Sequence, residues 1–404
     1  MGLLFKIALR NLLRRKRRSL LTGISLMGGT LMLSVFLGIQ EGSYSLVIEQ
    51  FTQAQTGHVQ IHRQGYLDKP SLYNSIPNPQ PLLSRLQADP AVTAASPRVY
   101  SPALAFAGKK TTAAQVVGID LAAENRATGI QARLALGRFF ASPNEVVVGR
   151  GLAEILKLEL GSELVLVTQG ADGSIANDLF QVTGILKGGE DSQNRMFCYL
   201  ALADAQAFLT LDHRIHEIAL FLPHYSRATE QAAAWAREFA AAGLEVHPWP
   251  EVEKEFYEFM LLDKEGGYVT YLIIVVLVAL QVLNTVLMTI LEKTRELGLL
   301  KALGTRPPQI FGLILLETML LACLAIAAGL LLAWPLNQFL AVEGIKLPQA
   351  YDISGITMDR IVSEISFFSV WLPALATFVT ALAVSILPAL RAARIQPIHA
   401  LNSY

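Results

Sequence analysis

The chain has 404 residues, 33 acidic and 33 basic, with a mean hydropathy of +0.42 and only 16% charged residues. These values are too apolar for a soluble protein of this size, so they exclude that class and indicate a membrane protein. The two cysteines, Cys198 and Cys323, imply no disulfide framework, because the topology derived below keeps them apart.

The first predicted element is a membrane span at 19–40, preceded by a basic N-terminus at 1–18. Seven of these first 18 residues are Lys or Arg and none is acidic, and such flanks stay in the cytoplasm. The span lacks the short core and cleavage site of a signal peptide, so we expect it to be retained. Because the basic cluster lies directly against a span, nucleic-acid binding is disfavoured. Gly28 and Gly29 would let another helix approach closely.

Residues 41–266 are polar enough to form a folded domain in water. Between 43 and 266 there are 25 acidic and 18 basic residues, so this domain should lie on the extracytoplasmic side. Residue patterns predict strands at 57–62, 112–119, 144–148, 163–168, 179–186, 196–200 and 217–222. They predict helices at 82–88, 151–158, 202–210 and 229–242, and stalk helices leading from the spans at 40–55 and 251–264. The domain is therefore of the α+β class.

A loop rich in turn-forming residues is predicted at 169–178, between two strands. Its polar residues Asp172, Gly173, Asn177 and Asp178 could dock a partner. The alternative is a solvated hairpin tip. The spacing of its acidic residues does not match a calcium-binding loop.

The rest of the chain completes a four-span topology. Its elements are three spans (267–291, 310–334 and 367–390), a cytoplasmic segment (292–309), an extracytoplasmic loop (335–366) and a cytoplasmic tail (391–404). With both termini inside, the cytoplasmic segments hold 13 basic residues against two acids, which agrees with the positive-inside rule. The predicted fold is an α-helical membrane protein with four transmembrane helices and a large α+β domain inserted between helices 1 and 2.

Three polar side chains lie within the predicted spans: Gln281 and Asn284 in the second and Glu317 in the third. An ionisable residue in a span usually faces the bundle interior or water and marks a functional position. Glu317 is also only about 10 Å from the cytoplasmic end at 1.5 Å per residue, so its carboxylate could instead reach the headgroups. Both interpretations of Glu317 remain open from the sequence.

The sequence shows no motif for nucleotide binding, nucleophilic catalysis or metal binding. A phosphate-binding G-x-x-x-x-G-K-[ST] loop, a G-x-S-x-G elbow, an H-E-x-x-H pair and paired C-x-x-C motifs are all missing. We therefore expect no catalytic residue, cofactor or metal in this chain.

The charged segment between spans 2 and 3 has helical spacing. Leu297, Leu300 and Leu303 would fall on one side of a short helix lying across the cytoplasmic membrane surface, where a soluble partner could bind it. The Pro307-Pro308 pair would stop this helix before the next span. An ordinary polar loop is the alternative. Glu292, Arg295 and Glu296 would lie largely on the opposite side of the helix, and Gly298, Lys301 and Gly304 complete the set of residues assigned to partner binding.

Three motifs, in order along the chain, are similar to those of one family: ALRNLLRRKRRS (8–19), RELGLLKALG (295–304) and PALRAARIQPIHAL (388–401). With one span, a large outer domain and then three spans, the whole chain resembles the FtsX-like, MacB-type ABC transporter permeases. The segments VVGID (116–120) and NEVVVGRG (144–151) resemble the outer domain of the lipoprotein-releasing group, LolC, LolE and LolF.

The resemblance implies that 295–304 is a coupling helix seated in a separate cytoplasmic ABC ATPase. That partner would bind ATP and magnesium, and this chain would be a non-catalytic subunit paired with a second permease copy or a related permease. The resemblance also implies the bacterial inner membrane, with the large domain in the periplasm. The loop at 169–178 resembles, but is shorter than, the hook by which LolC captures its periplasmic chaperone.

The leading hypothesis is an ATP-driven permease that extracts a lipophilic substrate, lipoproteins first among them, from the outer leaflet by mechanotransmission. One alternative is an FtsX-like signal transmitter that passes ATPase motion to periplasmic partners. Another is a MacB-like exporter of toxins or small molecules that works with an outer-membrane partner. An extracytoplasmic enzyme is disfavoured, because the sequence shows no catalytic constellation.

Overall fold

The computed structural model describes residues 2–14, 16–187, 193–353 and 356–395. It divides into a membrane unit (Met1–Ser45, Met260–Leu347 and Arg360–Tyr404) and an outer domain (Leu46–Phe259 and Pro348–Asp359). Arg15 of the predicted basic N-terminus and 396–404 of the predicted tail lie outside the described residues.

The described chain contains both α-helices and β-strands. The α-helices are α1 (Gly2–Arg14), α2 (Lys16–Phe51), α3 (Gln80–Gln87), α4 (Leu121–Thr128), α5 (Arg150–Leu156), α6 (Leu202–Phe208), α7 (Ala228–Phe239), α8 (Trp249–Val252), α9 (Lys254–Ala302), α10 (Pro307–Val342) and α11 (Phe367–Arg394). The strands are β1 (Val59–Arg63), β2 (Ala94–Ala107), β3 (Lys110–Ile119), β4 (Leu134–Gly137), β5 (Glu145–Val148), β6 (Glu163–Gln169), β7 (Ile175–Leu186), β8 (Phe197–Ala201), β9 (Glu217–Phe221), β10 (Leu244–Pro248), β11 (Ile345–Ile353) and β12 (Ile356–Ile361).

Four helices of the described chain, α2, α9, α10 and α11, are long and apolar enough to cross a membrane. They confirm the predicted number and order of spans, with the large domain between the first and the second. Each of α2, α9 and α10 extends beyond its apolar run. The 49 residues of α9 give about 74 Å at 1.5 Å per residue, against a hydrocarbon core of about 30 Å. α11 continues through Pro373 and Pro388, because neighbouring groups in a bundle can satisfy the freed backbone atoms.

Small and polar residues hold the spans of the membrane unit together. A side chain at residue 29 would place its Cβ 2.7 Å from a methyl carbon of Val278, so Gly29 permits the close approach of α2 to α9 that the sequence suggested. Thr30 donates a hydrogen bond to Thr377 at 3.3 Å, and these two side chains are buried. The bundle interior therefore combines close backbone contact with internally paired hydroxyl groups.

Much of the predicted loop at 335–366 is regular structure. α10 continues through Pro335 to Val342, and β11 and β12 then pair in a two-stranded sheet. Ser366 caps the N-terminus of α11, because its Oγ accepts a hydrogen bond from the backbone N–H of Ser369 at 3.0 Å.

The outer domain is built on a ten-stranded sheet. Nine strands follow the order β10-β1-β9-β2-β3-β8-β5-β7-β4, and β6 pairs with β2 and β7. All seven strands predicted from the sequence are present, which confirms the α+β class. The sequence analysis missed β2, β4, β10 and helix α4. Pro97 and Pro102 within β2 disfavoured a strand there, because proline cannot donate to a ladder.

Strand alternation gives this sheet two different faces. Val59 and Ile61 of β1, Val116 of β3 and Leu200 of β8 belong to the main hydrophobic core. Successive side chains in a strand point to opposite faces, so the residues between them, such as His62 of β1, face away from that core. α4 and the 3₁₀ turn Ile130–Arg133 lie on this second face, where a smaller apolar cluster forms around Val117, Ile119 and Ile130.

The predicted stalk helices are continuous with spans. α2 runs to Phe51 and is followed by a π-helical turn at Thr52–Thr56, and α9 begins at Lys254. In the membrane unit, Tyr44 donates a hydrogen bond to Asp263 at 2.5 Å. In the outer domain, the rings of Phe51 and Phe256 stack with centroids 4.2 Å apart. Both contacts join α2 to α9.

Candidate functional site

The segment between the second and third spans is the end of α9 and not a separate surface helix. α9 remains helical to Ala302, so residues 292–302 extend the span itself. Gly304 ends the helix with a φ of +96°, a left-handed conformation that glycine adopts without strain. The Pro307-Pro308 pair does not stop α9 as predicted. It begins α10, where a missing N–H removes no helical bond.

The predicted apolar face of this segment is divided between two environments. Leu297 is only 4% exposed and lies in the core of the membrane unit, and Leu300 packs against the same core. Leu303, in contrast, is 84% exposed. The prediction that these three leucines form one partner-binding face is therefore wrong, because packing against the other spans fixes the rotation of α9. Gly298 is buried next to Leu297.

A different stripe of this segment is exposed. Glu292, Arg295, Glu296, Leu299 and Leu303 are all exposed, at intervals of three and four residues that place them along one side of a helix. We call this set the junction stripe. It combines three predicted charged residues with two leucines, and Leu299, which is 48% exposed, was missed. In the sequence, Leu299 lies seven residues after Glu292, and this spacing places the two residues on the same side of a helix.

Lys301 contacts the fourth span. Its Nζ donates to the backbone carbonyl oxygens of Ala393 at 3.0 Å and Ile395 at 2.8 Å. These carbonyl groups lie at the C-terminus of α11, where a helix presents unpaired acceptors and partial negative charge. Lys301 therefore ties the end of α9 to the end of α11, and its amine is not part of the exposed stripe.

Glu317 lies inside the helix bundle and is paired. Its carboxylate accepts from Lys293 Nζ at 2.6 Å and from Asn11 Nδ2 at 2.5 Å, and the Lys293 and Glu317 side chains are each 12% exposed. A cavity of about 70 Å³ adjoins this cluster, and Thr285 and Thr289 are among the residues that line it. Of the two interpretations left open, the structure matches the one in which the carboxylate faces the interior.

The two other polar residues of the spans lie on the surface of the membrane unit. Gln281 is exposed and donates to Ser25 Oγ on α2 at 2.8 Å. Asn284 is exposed, three residues further along α9. The structure does not bring Gln281 or Asn284 to the Glu317 cluster.

The predicted docking loop is shorter than its sequence suggested. Asp172 and Gly173 form a tight turn in which Asp172 accepts from the N–H and hydroxyl of Ser174, and these bonds lower the pKa of Asp172. Asn177 and Asp178 belong to β7, paired with Val167 and Leu166 of β6. The assignment of all four residues to one projecting loop is therefore wrong, because β6 and β7 extend their pairing to within a few residues of the turn.

Two family models match the chain. The MacB-like periplasmic core domain matches residues 19–238, more than half of the chain, and the FtsX-like permease C-terminal domain matches residues 268–397. The first match ends within α7 and the second begins within α9.

Three relatives match nearly the whole chain. The lipoprotein-releasing system transmembrane protein LolC of Neisseria meningitidis is 23% identical, covering 98% of each chain. The lipoprotein-releasing system transmembrane protein LolE of Haemophilus influenzae is 25% identical, covering 95% of this chain and 93% of that protein. The macrolide export ATP-binding/permease protein MacB of Nitrobacter winogradskyi is 26% identical, covering 95% of this chain and 58% of that protein.

Proposed function

Since the chain belongs to the family of permeases with a MacB-like periplasmic core domain and an FtsX-like C-terminal domain, we propose that it is the membrane subunit of an ABC transporter that extracts lipoproteins from the outer leaflet of the bacterial inner membrane. The similarity to LolC and LolE along nearly the whole chain supports the substrate class. The chain itself would be non-catalytic.

The junction stripe is the observation that carries the ATPase assignment. Leu299 and Leu303 stand exposed at the end of a span, beside three charged residues, with basic flanks that favour the cytoplasmic side. Exposed leucines next to charges are typical of a protein-binding surface. We propose that a cytoplasmic ABC ATPase, which binds ATP and magnesium, buries this stripe.

The contacts around the stripe support transmission of ATPase motion. α9 is one uninterrupted helix from Lys254 to Ala302, and Lys301 and Lys293 fix its end to α11 and α10. A movement of the stripe would therefore move α9 and its neighbours together. We propose that two permease subunits, identical or related, act on one substrate, with a periplasmic chaperone or an outer-membrane partner accepting it.

The test uses the full chain reconstituted in proteoliposomes with the ABC ATPase that co-purifies with it. A fluorescent triacylated lipoprotein is placed in the bilayer, and its ATP-dependent release to a soluble lipoprotein carrier is measured. The protein should release lipoprotein with ATP and not without it. ATP hydrolysis by an intact complex with no release would contradict lipoprotein extraction.

A double variant, Leu299→Ala with Leu303→Ala, tests the stripe in the same assay. Truncating a buried leucine at an interface costs about 2 to 5 kcal/mol, so even the low end should weaken ATPase binding about thirtyfold. Leu331→Ala is the matched control. Leu331 lies on α10, outside the junction stripe, and is 75% exposed, so this substitution should leave ATPase binding unchanged. Stoichiometric ATPase on the double variant would mean that the stripe is not the docking surface.

Export of small molecules is the second candidate, supported by the match to the macrolide export protein over 95% of this chain. The same proteoliposomes, loaded with erythromycin, distinguish the two. ATP-dependent macrolide transport without lipoprotein release would favour export. Hydrolysis with neither activity would favour a signal transmitter.

A further inference from the structure

The second face of the outer-domain sheet borders a cavity of about 470 Å³. It lies within the outer domain, between the sheet, the π-helical turn at 52–56, α4 and the 3₁₀ turn at 130–133. Ligand-binding cavities typically measure about 300 to 1,000 Å³, so this one is large enough for a small organic molecule. The proposed transport steps do not use it.

One end of the cavity holds a buried cluster in which one guanidinium is paired with two carboxylates. Arg98 donates through Nε and Nη2 to Glu124 at 3.0 and 2.8 Å, and through Nη1 to Glu217 at 3.2 Å. The three side chains are at most 6% exposed. Nε, Nη1 and Nη2 of Arg98 all donate to carboxylates of the chain, so its charge is already paired.

Arg133 is the second guanidinium that lines the cavity, and it has no carboxylate partner. Its Nη1 donates to the backbone carbonyl of Ala54 at 3.0 Å, and no carboxylate oxygen in the described part of the chain lies within 4 Å of it. Burial lowers the pKa of Arg133, which reflects the free energy spent in desolvating its charge. Glu124 acts on it at longer range but is engaged by Arg98. A partly desolvated cation without a counter-ion favours an anionic ligand.

The wall beside Arg133 is apolar and aromatic. Val117, Ile119 and Ile130 are at most 3% exposed and belong to the second-face cluster, and Phe197 and Tyr199 of β8 complete the wall. The rings of Phe197 and Tyr199 offer flat contact area to the non-polar part of a ligand. The cavity therefore presents a cation next to an aromatic surface.

His62 and Glu253 also line the cavity on the side of the Arg98 cluster. His62 lies 3.4 Å from Glu217, and its Nδ1 is buried without a hydrogen-bond partner among the described residues. Burial, Glu255 and Glu217 raise the pKa of Glu253, so this carboxyl group retains its proton more readily than an exposed one. The Arg133 side therefore remains the positive end of the cavity.

We propose that this cavity binds a carboxylate attached to an apolar or aromatic body, with the carboxylate on Arg133 and the body on Val117, Ile119, Phe197 and Tyr199. A guanidinium recognises a carboxylate through two parallel N–H donors, and the Nε and Nη2 atoms of Arg133 have no bonds of their own in the described structure. A free small acid and the C-terminus of a peptide share this chemistry. The inference does not depend on the transport function.

The test measures binding to the full-length protein in lipid nanodiscs by saturation-transfer NMR. The probes are N-acetyl-phenylalanine and its amide, which differ only in the carboxylate, together with Ala-Ala-Phe in free and amidated form. At least one acid should bind at least tenfold more tightly than its amide, and should slow hydrogen exchange in β3 and β8. Tighter binding of the tripeptide would indicate a peptide end, and tighter binding of N-acetyl-phenylalanine a free acid.

Arg133→Met should abolish the preference for the acid, and Arg133→Lys should retain part of it. Arg126→Met is the matched control, because Arg126 is an exposed arginine on nearby α4. If Arg133→Met fails to fold, the comparison of acid with amide on the unaltered protein still decides. No binding by either acid, equal binding of acids and amides, or an acid preference that survives in a folded Arg133→Met variant would overturn the proposal.

Discussion

The outer domain and the membrane unit each bury an ion-pair cluster, and the two differ in what surrounds them. Arg98, Glu124 and Glu217 come from three elements of the outer domain and are at most 6% exposed. Lys293 and Glu317 are 12% exposed, and a single hydrogen bond from Asn11 completes their cluster. Two clusters of similar composition can therefore join different parts of a protein: the first joins three elements of one folded domain, and the second joins α1, α9 and α10, which the proposed transmission of ATPase motion would move together.

Among the substitutions considered, the removal of Arg98 should cause the largest loss of stability. Arg98→Met leaves two buried carboxylates without a counter-ion, and breaking a buried pair in this way costs about 3 to 5 kcal/mol. In the full chain in nanodiscs, backbone hydrogen exchange should become faster across β1, β2 and β9. Exchange in the spans should not change.

Arg150→Met is the control, since Arg150 and Glu154 form an exposed pair that should contribute about 1 kcal/mol or less. Equal losses of stability in Arg98→Met and Arg150→Met would show that the buried cluster contributes no more than an exposed pair.

A smaller, local effect is expected in the membrane unit. Glu317→Gln replaces a charged acceptor with a neutral one in two hydrogen bonds that contribute about 1.5 to 3 kcal/mol each, so only part of this free energy is lost. Because Asn11 lies on α1, exchange in 5–14 should increase. Lys293→Met in the Glu317→Gln background should add less than it does alone, because the two side chains share one interaction. Additive effects of the two substitutions would show that the pair is not coupled.

The smallest effect concerns a third pair, in which one partner is exposed. Hydrogen bonds from Arg138 and the backbone N–H of Ala141 lower the pKa of Glu145 to about 2. Because the pKa of Glu145 is lowered in the folded protein, ionised Glu145 stabilises the fold when the pH is above the ordinary carboxyl pKa near 4.5. This stabilisation is lost as the pH falls toward 2. Solvent screening limits it to about 1 kcal/mol.

Glu145→Gln should therefore lower the stability of the outer domain at pH 7 and have less effect near pH 2.5. Thermal unfolding followed by the fluorescence of buried Trp235 and Trp249 measures both values. If Glu145→Gln lowers stability by the same amount at both pH values, this role of Glu145 is contradicted.

The sequence predicted features that depend on local patterns. Long apolar runs and charge asymmetry gave the four spans and the large inserted domain, and alternation gave seven of the ten strands of its sheet. β2 was missed because Pro97 and Pro102 interrupt its pattern, although the strand pairs with three neighbours.

Features that depend on packing could not be predicted. Periodicity placed Leu297 and Leu303 on one side of a helix, but the rotation of α9 against α10 and α11 buries the first and exposes the second. Arg98, Glu124 and Glu217 are far apart in the sequence, and each one alone resembles an ordinary surface charge. Glu317 was noticed because a carboxylate within an apolar run stands out.

The proposed function depends on a cytoplasmic ATPase that binds the junction stripe. Site-specific photo-cross-linking tests it directly, with a photo-reactive amino acid in place of Leu303 and, in a separate protein, in place of Leu331. Both positions are strongly exposed on the membrane unit, at 84% and 75%. We expect an adduct with the ATPase from position 303 and none from position 331. An intact complex that gives no adduct from position 303, or equal adducts from both positions, would show that the ATPase does not bind the junction stripe.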